Sequence, residues 1–191
     1  MRLPPLLVLT DRSLCTGTLM DTVAAAVDCG ARAIVLREKD LPAAERARLA
    51  MQLRTLLEPV DGVLVLAGPR GDAVHLSAKD ALLAPRPSLV GRSCHTIEEV
   101  VHARAEGCDY VTVSPVFVTA SKPGYGPALG VDGLALLAMP APPAYALGGV
   151  HPPDVPACLE AGAHGVAVMG PVMQEPQIVA AYLAELQQVP T

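Results

Sequence analysis

Two basic residues near the end of a predicted strand are the first candidates for chemistry in this sequence. Arg37 and Lys39 are two positions apart, so in an extended chain both side chains point to the same side. Two cations placed together suit an anionic ligand. In the alternative interpretation they belong to a solvated loop and pair with Glu38 and Asp40. We favour ligand binding because Arg37 still follows the strand pattern.

Two glycine-bearing turns later in the chain form the second candidate site. Gly148 and Gly149 end one predicted strand, and Met169 and Gly170 end the next. Glycine has no Cβ, so backbone N–H groups in these turns can approach a ligand closely. A proline soon after each turn favours a helical first turn, whose free N–H groups point back at the ligand. We therefore predict a phosphate group in the notch between the two turns.

The longest predicted loop, Ser114–Gly130, is rich in glycine, proline and hydroxyl residues. Within it Thr119, Ser121 and Lys122 could hold an oxyanion, and its glycines would allow it to close as a lid. The alternative is an unstructured surface loop. Loops longer than about 12 residues in compact domains are usually functional, which favours the first interpretation.

The histidines and cysteines give no metal signature. His75 and His95 lie at strand ends and could titrate near neutral pH, or could be hydrogen-bonded structural residues. His102 and His164 are interpreted as surface residues. The five cysteines are odd in number and form no C-x-x-C pair, which favours neither a disulfide framework nor a zinc site. We expect no metal site and no required cofactor.

Eight short apolar segments, alternating mostly with helical patterns, predict the fold. The predicted strands are Leu6–Thr10, Ala33–Arg37, Gly62–Leu66, Ala73–Ser77, Leu89–Ser93, Tyr110–Pro115, Ala144–Gly148 and Val166–Met169. The predicted helices include Ala43–Leu57, Ile97–Glu106 (with Thr96 as its cap and Glu99 completing a capping box), Asp154–Ala161 and Pro176–Gln188. Eight βα units predict an α/β fold, a single (β/α)8 TIM barrel spanning residues 1–191. The short connection Leu66–Asp72 predicts that the third helix is shortened or missing.

Composition narrows the function classes. Hydrophobic residues make up 51% of the chain but aromatic residues only 3%, which suits a parallel sheet buried on both faces. The net charge of −5 without a basic run argues against nucleic-acid binding. No apolar stretch approaches the roughly 20 residues needed to cross a bilayer. Because no signal peptide precedes the first strand, we expect a cytoplasmic protein that binds no membrane.

Short motifs along almost the whole chain occur in a specific order. They are Leu9-Thr10-Asp11, Leu36-Arg37-Glu38-Lys39-Asp40, Val74-His75-Leu76 with Asp80, Gly91-Arg92-Ser93-Cys94-His95-Thr96, Asp109-Tyr110-Val111 through Ser114–Lys122, Ala146–Val150 and Gly165–Val168. Together they resemble the thiamine phosphate synthase and TenI-like thiazole tautomerase superfamily. The resemblance implies a TIM barrel that acts in vitamin B1 synthesis.

The synthase branch of this superfamily implies a set of site residues. Its members join a pyrimidine pyrophosphate to a thiazole phosphate, with magnesium. The positions that match here are Arg37, Lys39, Asp80, Ser93, Thr119, Ser121, Lys122 and Gly149. By this resemblance Arg37, Lys39 and Lys122 would neutralise the leaving pyrophosphate, which is most of what a dissociative departure requires.

The sequence departs from the synthase pattern at two places. Val35 stands where the synthases carry a glutamine that contacts the pyrimidine ring, and the Asn-Asp-Arg segment that follows their third strand is absent. The aspartate of that segment binds magnesium, and Asp80 alone is a poor site for the ion. We therefore expect magnesium only if the chain is a synthase, and no tightly held magnesium in the free protein.

The tautomerase branch moves a proton on a thiazole carboxylate phosphate and needs no magnesium. Its catalytic histidine would fall in the segment Ser114–Phe117, where Pro115 stands, so we propose His95 as its substitute. Our leading hypothesis is a TenI-like enzyme of the thiazole tautomerase type that binds thiazole phosphate compounds or thiamine phosphate. The alternatives are a divergent thiamine phosphate synthase and a non-catalytic ligand-binding regulator. A homo-oligomer is left open.

Overall fold

Eight parallel strands close into a barrel in the computed structural model of the chain, which describes residues 3–118 and 127–188. The strands are β1 (Leu6–Leu9), β2 (Ala33–Leu36), β3 (Val63–Ala67), β4 (Ala73–Leu76), β5 (Leu89–Cys94), β6 (Tyr110–Val113), β7 (Ala144–Leu147) and β8 (Gly165–Val168). Each strand pairs with the next along the chain, and β8 returns to β1 with Leu7 opposite Ala167. The predicted (β/α)8 barrel is confirmed.

The strands are surrounded by helices, and the four helices that the sequence predicted lie close to their predicted positions. The helices within the described ranges are α1 (Leu19–Asp28), α2 (Ala43–Leu57), α3 (Ile97–Ala105), α4 (Gly130–Ala138), α5 (Val155–Glu160), α6 (Gly170–Gln174) and α7 (Val179–Gln188). The predicted helix from Pro176 is divided, since a 3-10 turn over Pro176–Ile178 precedes α7. None of the described helices is long and apolar enough to cross a membrane.

Alternate residues of each strand pack in two separate apolar layers. Leu7, Val35 and Val65 point into the barrel, whereas their neighbours Val8 and Ile34 pack against the surrounding helices. Because both faces of a parallel sheet are buried, the strands consist of nearly unbroken apolar runs.

Two of the few aromatic residues fill the lower part of the barrel interior. The rings of Tyr110 and Tyr145 meet edge to face with their centroids 5.6 Å apart. The Tyr145 hydroxyl donates to the carbonyl of Pro4 at 3.0 Å, which joins the segment before β1 to the barrel floor. The amino-terminal end of the barrel is therefore filled, and a ligand must enter at the other end.

One flank of the barrel carries fewer helices than the rest. No helix lies between β3 and β4, as predicted, and residues 77–88 between β4 and β5 form no helix either, which the sequence analysis did not anticipate. Pro85 and Pro87 in this second connection explain its irregular backbone. The flank has an open cleft of about 1060 Å³ at the amino-terminal ends of the strands, remote from the strand ends that carry the predicted site.

Candidate active site

Four polar side chains on the neighbouring strands β4, β5 and β6 form a hydrogen-bonded cluster above the apolar floor of the barrel interior. The His75 ring nitrogens lie 3.0 Å (Nδ1) from the Tyr110 hydroxyl and 2.9 Å (Nε2) from the Ser93 hydroxyl, while Thr112 Oγ1 is 3.5 Å from Nε2. Tyr110 also stacks on the imidazole, with ring centroids 5.5 Å apart. The barrel therefore changes from apolar at its floor to polar at its mouth.

Burial keeps the His75 imidazole neutral. Desolvation lowers its pKa to about 4, and the positive charges of Lys39, Arg37 and Arg92 act in the same direction. Of the two interpretations of this residue, the structure favours the hydrogen-bonded structural one over titration near neutral pH. Because the charges of Lys39 and Arg37 act on the pKa of His75, these two predicted cations lie close to the polar cluster.

The end of β2 is held by Arg12, a residue to which the sequence analysis gave no role. Arg12 donates to the buried carboxylate of Glu38 at 2.9 Å and to both oxygens of Asp40 at 2.7 and 2.6 Å. The two carboxylates that were the alternative partners of Arg37 and Lys39 are thus taken by Arg12. Within the described residues Lys39 makes no ion pair.

Arg37 is anchored through its backbone rather than through its charge. Its amide donates to Thr10 Oγ1 at 2.9 Å, and its guanidinium lies 4.0 Å from Asp11 Oδ2, a loose and partly exposed contact. The guanidinium and the Lys39 ammonium therefore retain most of their capacity to bind an anion.

Asp80 is fixed in a tight turn that follows β4. Its Oδ2 accepts the Ser77 amide at 2.7 Å, and its carbonyl accepts from Arg92 Nη1 at 2.8 Å. Burial opposes ionisation of Asp80, but the hydrogen bonds from Ser77 and the charges of Lys39 and Arg92 outweigh it and lower its pKa. Arg92, whose side chain is buried on the outer face of β5, therefore positions an anion at the barrel mouth.

His95 lies at the end of β5 against the segment that follows β6. Its Nδ1 lies 2.7 Å from the Ser114 carbonyl, which can only accept, so Nδ1 carries the proton of the neutral ring. The Glu99 carboxylate accepts the His95 amide at 2.6 Å, one residue earlier than the capping box on Thr96 predicted. The Thr96 hydroxyl still caps α3 by accepting the Glu99 amide.

The two glycines of the turn after β7 adopt a left-handed backbone conformation, whereas Gly170 after β8 begins α6. Gly148 and Gly149 have φ of +92° and +69°, in the region that favours glycine. Among the described residues, the amides of Gly148, Gly149 and Gly170 donate no hydrogen bond to a protein acceptor. Tyr182 of α7 holds the first turn by donating to the Val150 carbonyl at 2.8 Å.

The reason for glycine at 148 and 149 is partly different from the one predicted. A Cβ on Gly149 would lie 2.5 Å from the Val118 carbonyl oxygen, and one on Gly148 would lie 3.0 Å from Pro115. The segment after β6 therefore packs directly on the turn, joined to it by the bond from the Phe117 amide to the Gly148 carbonyl at 2.9 Å. Glycine is required here for packing between two backbone segments as well as for any approach of a ligand.

The sequence profile of a family described as thiamine monophosphate synthase matches residues 6–172. The chain belongs to this family. It is therefore an enzyme of thiamine biosynthesis, and the expected kinship is confirmed.

Individual relatives cover almost the whole chain. It is 35% identical to a thiamine-phosphate synthase of Methanospirillum hungatei over 92% of this chain and 93% of the relative, and 34% identical to one of Methanoculleus marisnigri over 92% and 90%. Among solved structures it is similar to a thiamine phosphate pyrophosphorylase from Pyrococcus furiosus, with a TM-score of 0.83 and 26% identity over 97% and 96% of the two chains. These relatives favour the synthase branch over the tautomerase branch of our leading hypothesis.

Part of the site expected from the family lies outside the described residues. These are Thr119, Ser121 and Lys122, together with the two central glycines of the predicted lid. The described ends of this loop are joined, since the amides of Leu129 and Gly130 donate to the carbonyls of Pro115 and Val116 at 2.9 Å. The two described ends of the loop therefore lie together, and the first of them packs on the Gly148–Gly149 turn.

The magnesium that the synthase branch uses does not fit the residues described here. Asp80 supplies a single carboxylate, and one of its oxygens already accepts the Ser77 amide. Within residues 3–118 and 127–188, no group of three His, Cys, Asp or Glu side chains could hold a metal ion. Val35, at the other departure from the family pattern, is an apolar residue buried in the barrel interior.

Sequence reasoning brought together some members of this site and missed others. Arg37, Lys39, Asp80 and Ser93 share one half of the barrel mouth, while Gly148, Gly149, Met169 and Gly170 form the other. It gave no role to Arg12, Arg92 or Tyr110. Arginine at an interior strand position, as in Gly91-Arg92-Ser93, was the signal for Arg92, because a charged residue there needs buried partners.

Proposed function

We propose that this protein is a thiamine-phosphate synthase, which joins a pyrimidine pyrophosphate to a thiazole phosphate and releases pyrophosphate. The observation that carries the proposal is that the barrel mouth has two separate regions suited to phosphate. One contains the side-chain cations Arg37 and Lys39. The other contains the amides of Gly148, Gly149 and Gly170, which donate to no acceptor among the described residues. Two phosphorylated substrates need two such regions.

In the proposed reaction each region binds one substrate. The bond between the pyrimidine methylene carbon and the pyrophosphate oxygen breaks, and the pyrophosphate leaves with the electron pair. Arg37 and Lys39 stabilise the charge that develops on the leaving group. The thiazole nitrogen, held by its phosphate at the glycine turns, then forms the new C–N bond with its lone pair.

The geometry of the β2 end supports this assignment. Because Arg12 holds the Glu38 and Asp40 carboxylates in its own hydrogen bonds, those carboxylates do not pair with Arg37 and Lys39. Lys39 is exposed and Arg37 half-buried, so both can reach a ligand above the polar cluster. No step in this proposal is assigned to magnesium, because the described residues do not fit it.

Thiazole tautomerisation is the second candidate, and His95 is the observation that favours it. Its ring lies against Ser114, in the segment where tautomerases carry their catalytic histidine, and its Nδ1 proton is held by the Ser114 carbonyl. That arrangement leaves Nε2 as the basic nitrogen. A tautomerase would exchange a thiazole carboxylate phosphate proton with solvent in the absence of any pyrimidine compound.

One set of incubations distinguishes these functions. The protein is mixed with thiazole phosphate and pyrimidine pyrophosphate, with and without magnesium, and thiamine phosphate and pyrophosphate are measured. We expect both products in equal amounts, and at least a tenfold loss of kcat/KM in Arg37→Gln and Lys39→Gln, but none in Arg48→Gln on the exposed face of α2. Proton exchange from the thiazole carboxylate phosphate in heavy water without coupling would support the tautomerase, and binding without turnover would contradict both.

The proposal also includes properties that accompany this activity. We take the chain as one barrel domain that acts in the cytoplasm on small molecules. Sedimentation of the purified protein would decide whether it is a monomer or a homo-oligomer.

A further inference from the structure

The hydroxyl of Tyr110 has a single hydrogen-bond partner among residues 3–118 and 127–188. It is buried in the barrel interior, and its oxygen lies 3.0 Å from His75 Nδ1. A buried phenol that donates to no acceptor is unfavourable. Since Nδ1 is the one acceptor within reach in the described part of the chain, Tyr110 donates to it, and Nδ1 carries no proton.

The proton of the neutral imidazole must then be on Nε2. From there it is donated to Ser93 Oγ at 2.9 Å in preference to Thr112 Oγ1 at 3.5 Å. Ser93 therefore uses a lone pair to accept from His75. Its own hydroxyl proton has no other assigned partner within the described residues and is left for an acceptor at the barrel mouth.

The backbone is built to permit this chain of hydrogen bonds. Register places His75 opposite Gly91 and Gly91 opposite Tyr110, so the three residues lie side by side on β4, β5 and β6. A Cβ at Gly91 would collide with the Tyr110 ring, so only glycine lets the ring occupy that place. Apolar residues could fill this space without any unpaired polar group, so a buried chain that ends on a half-buried serine indicates a role beyond packing.

We propose that His75 is a positioning residue that fixes the direction of the Ser93 hydroxyl. Donation from Tyr110 to His75 and from His75 to Ser93 makes the serine a hydrogen-bond donor toward the substrate. It selects a ligand atom that can accept, namely an unprotonated ring nitrogen or an oxygen, over an amine or other donor. This inference rests on the proposed function, because it takes the ligand at the barrel mouth to be the substrate.

The tautomer is tested first, by a readout that does not depend on activity. Protein labelled with 15N-histidine is studied by NMR, and the His75 signals are identified by their loss in His75→Gln. We expect the neutral Nε2–H form in the wild type and a shift toward the Nδ1–H form in Tyr110→Phe, which removes the donor to Nδ1. An Nδ1–H form in the wild type would overturn the proposal.

Kinetics test the consequence for the substrate. A glutamine amide can place an N–H near the position of Nε2, and an asparagine amide can reach only the position of Nδ1. We expect kcat/KM within about threefold of wild type in His75→Gln and at least tenfold lower in His75→Asn and in Ser93→Ala. His102→Gln on the exposed face of α3 is the control and should behave as wild type. Circular dichroism of each variant establishes that it is folded.

The outcomes separate the two proposals. If the wild type forms no thiamine phosphate, the proposed function fails, while the NMR spectrum still decides the tautomer. If the wild type is active but His75→Asn and His75→Gln are equally active, Ser93 does not depend on donation from Nε2 and the positioning role is wrong.

Discussion

The two halves of the barrel mouth are built for anions by different means. The half above β2, β4 and β5 uses side chains, with Arg37 and Lys39 kept available because Arg12 binds the carboxylates of Glu38 and Asp40. The half above β7 and β8 uses backbone amides in turns where Gly149 is pressed against the Val118 carbonyl. The exposed Lys39 and the half-buried Arg37 can therefore be altered by mutation with little effect on stability. In the second half, binding and folding depend on the same atoms.

Among the substitutions that test this comparison, the largest effect on the free energy of unfolding is expected at Gly149. Leucine there must adopt a φ of +69° and displace the Val118 carbonyl, 2.5 Å from the new Cβ. Left-handed strain and overpacking together should lower the free energy of unfolding by about 3–5 kcal/mol. Urea denaturation measures this change. In variants that still fold, Gly149→Leu and Gly170→Leu should weaken thiazole phosphate binding more than about tenfold.

Gly107 provides a matched control for the glycine turn. Its φ is +71°, almost that of Gly149, but a Cβ there would meet nothing within 4 Å. Gly107→Leu should therefore show the backbone strain alone, about 1–2 kcal/mol. Equal losses in the two variants would mean that packing of the segment after β6 contributes nothing. Wild-type binding by both Gly149→Leu and Gly170→Leu would place the phosphate elsewhere.

The order of strands and helices could be predicted because it is encoded in local sequence patterns. The count of eight apolar segments and the short connection Leu66–Asp72 were enough to predict a barrel whose third helix is shortened or missing. The partner of Glu38, by contrast, is Arg12, 26 positions away, and the atoms that require glycine at 149 belong to the segment after β6. Both are tertiary contacts that no local pattern encodes. The candidate site was therefore predicted by its residue types, but not by the contacts that position them.

The next largest effect concerns the polar cluster beneath the side-chain half. The pKa of His75 is about 4 in the folded protein, mainly through burial and then through Lys39, Arg37 and Arg92, with Asp80 opposing, against an ordinary value of 6.5. Between these values the unfolded chain binds a proton that the folded chain does not, so stability falls as the pH falls from 6.5 to 4. The loss should be about 3 kcal/mol.

Chemical denaturation at several pH values measures this loss. His75→Gln lacks the titrating group, so its stability should fall less over the same interval, while groups common to both proteins cancel in the difference. Parallel curves for the two proteins would contradict the assignment of a depressed pKa to His75.

At Lys39 we expect a smaller effect, which should fall on ligand affinity and not on the free energy of unfolding. This residue is exposed and makes no ion pair within the described chain, so Lys39→Gln should change the free energy of unfolding by less than about 0.5 kcal/mol. Affinity for the pyrimidine pyrophosphate should nevertheless fall about tenfold, or about 1.4 kcal/mol. Calorimetric titration and urea denaturation of the same sample provide both numbers. A large loss of stability in Lys39→Gln would contradict the claimed difference between the side-chain half and the glycine half.

The smallest effect, and the most specific one, is expected from Arg12. Arg12→Gln removes the cation that now holds Glu38 and Asp40, and the two carboxylates become available to Arg37 and Lys39. The new pairs would compete with the ligand, so affinity for pyrophosphate should fall about threefold, or about 0.7 kcal/mol. Asp40 is exposed, so its neutralisation costs little in stability. The double variant Arg12→Gln/Asp40→Asn should therefore recover part of the lost affinity, whereas Asp40→Asn alone should have almost no effect. If the double variant binds no better than Arg12→Gln, competition by the freed carboxylate is not the cause. The side-chain half would then depend on Arg12 for its backbone geometry, as the glycine half depends on its packing.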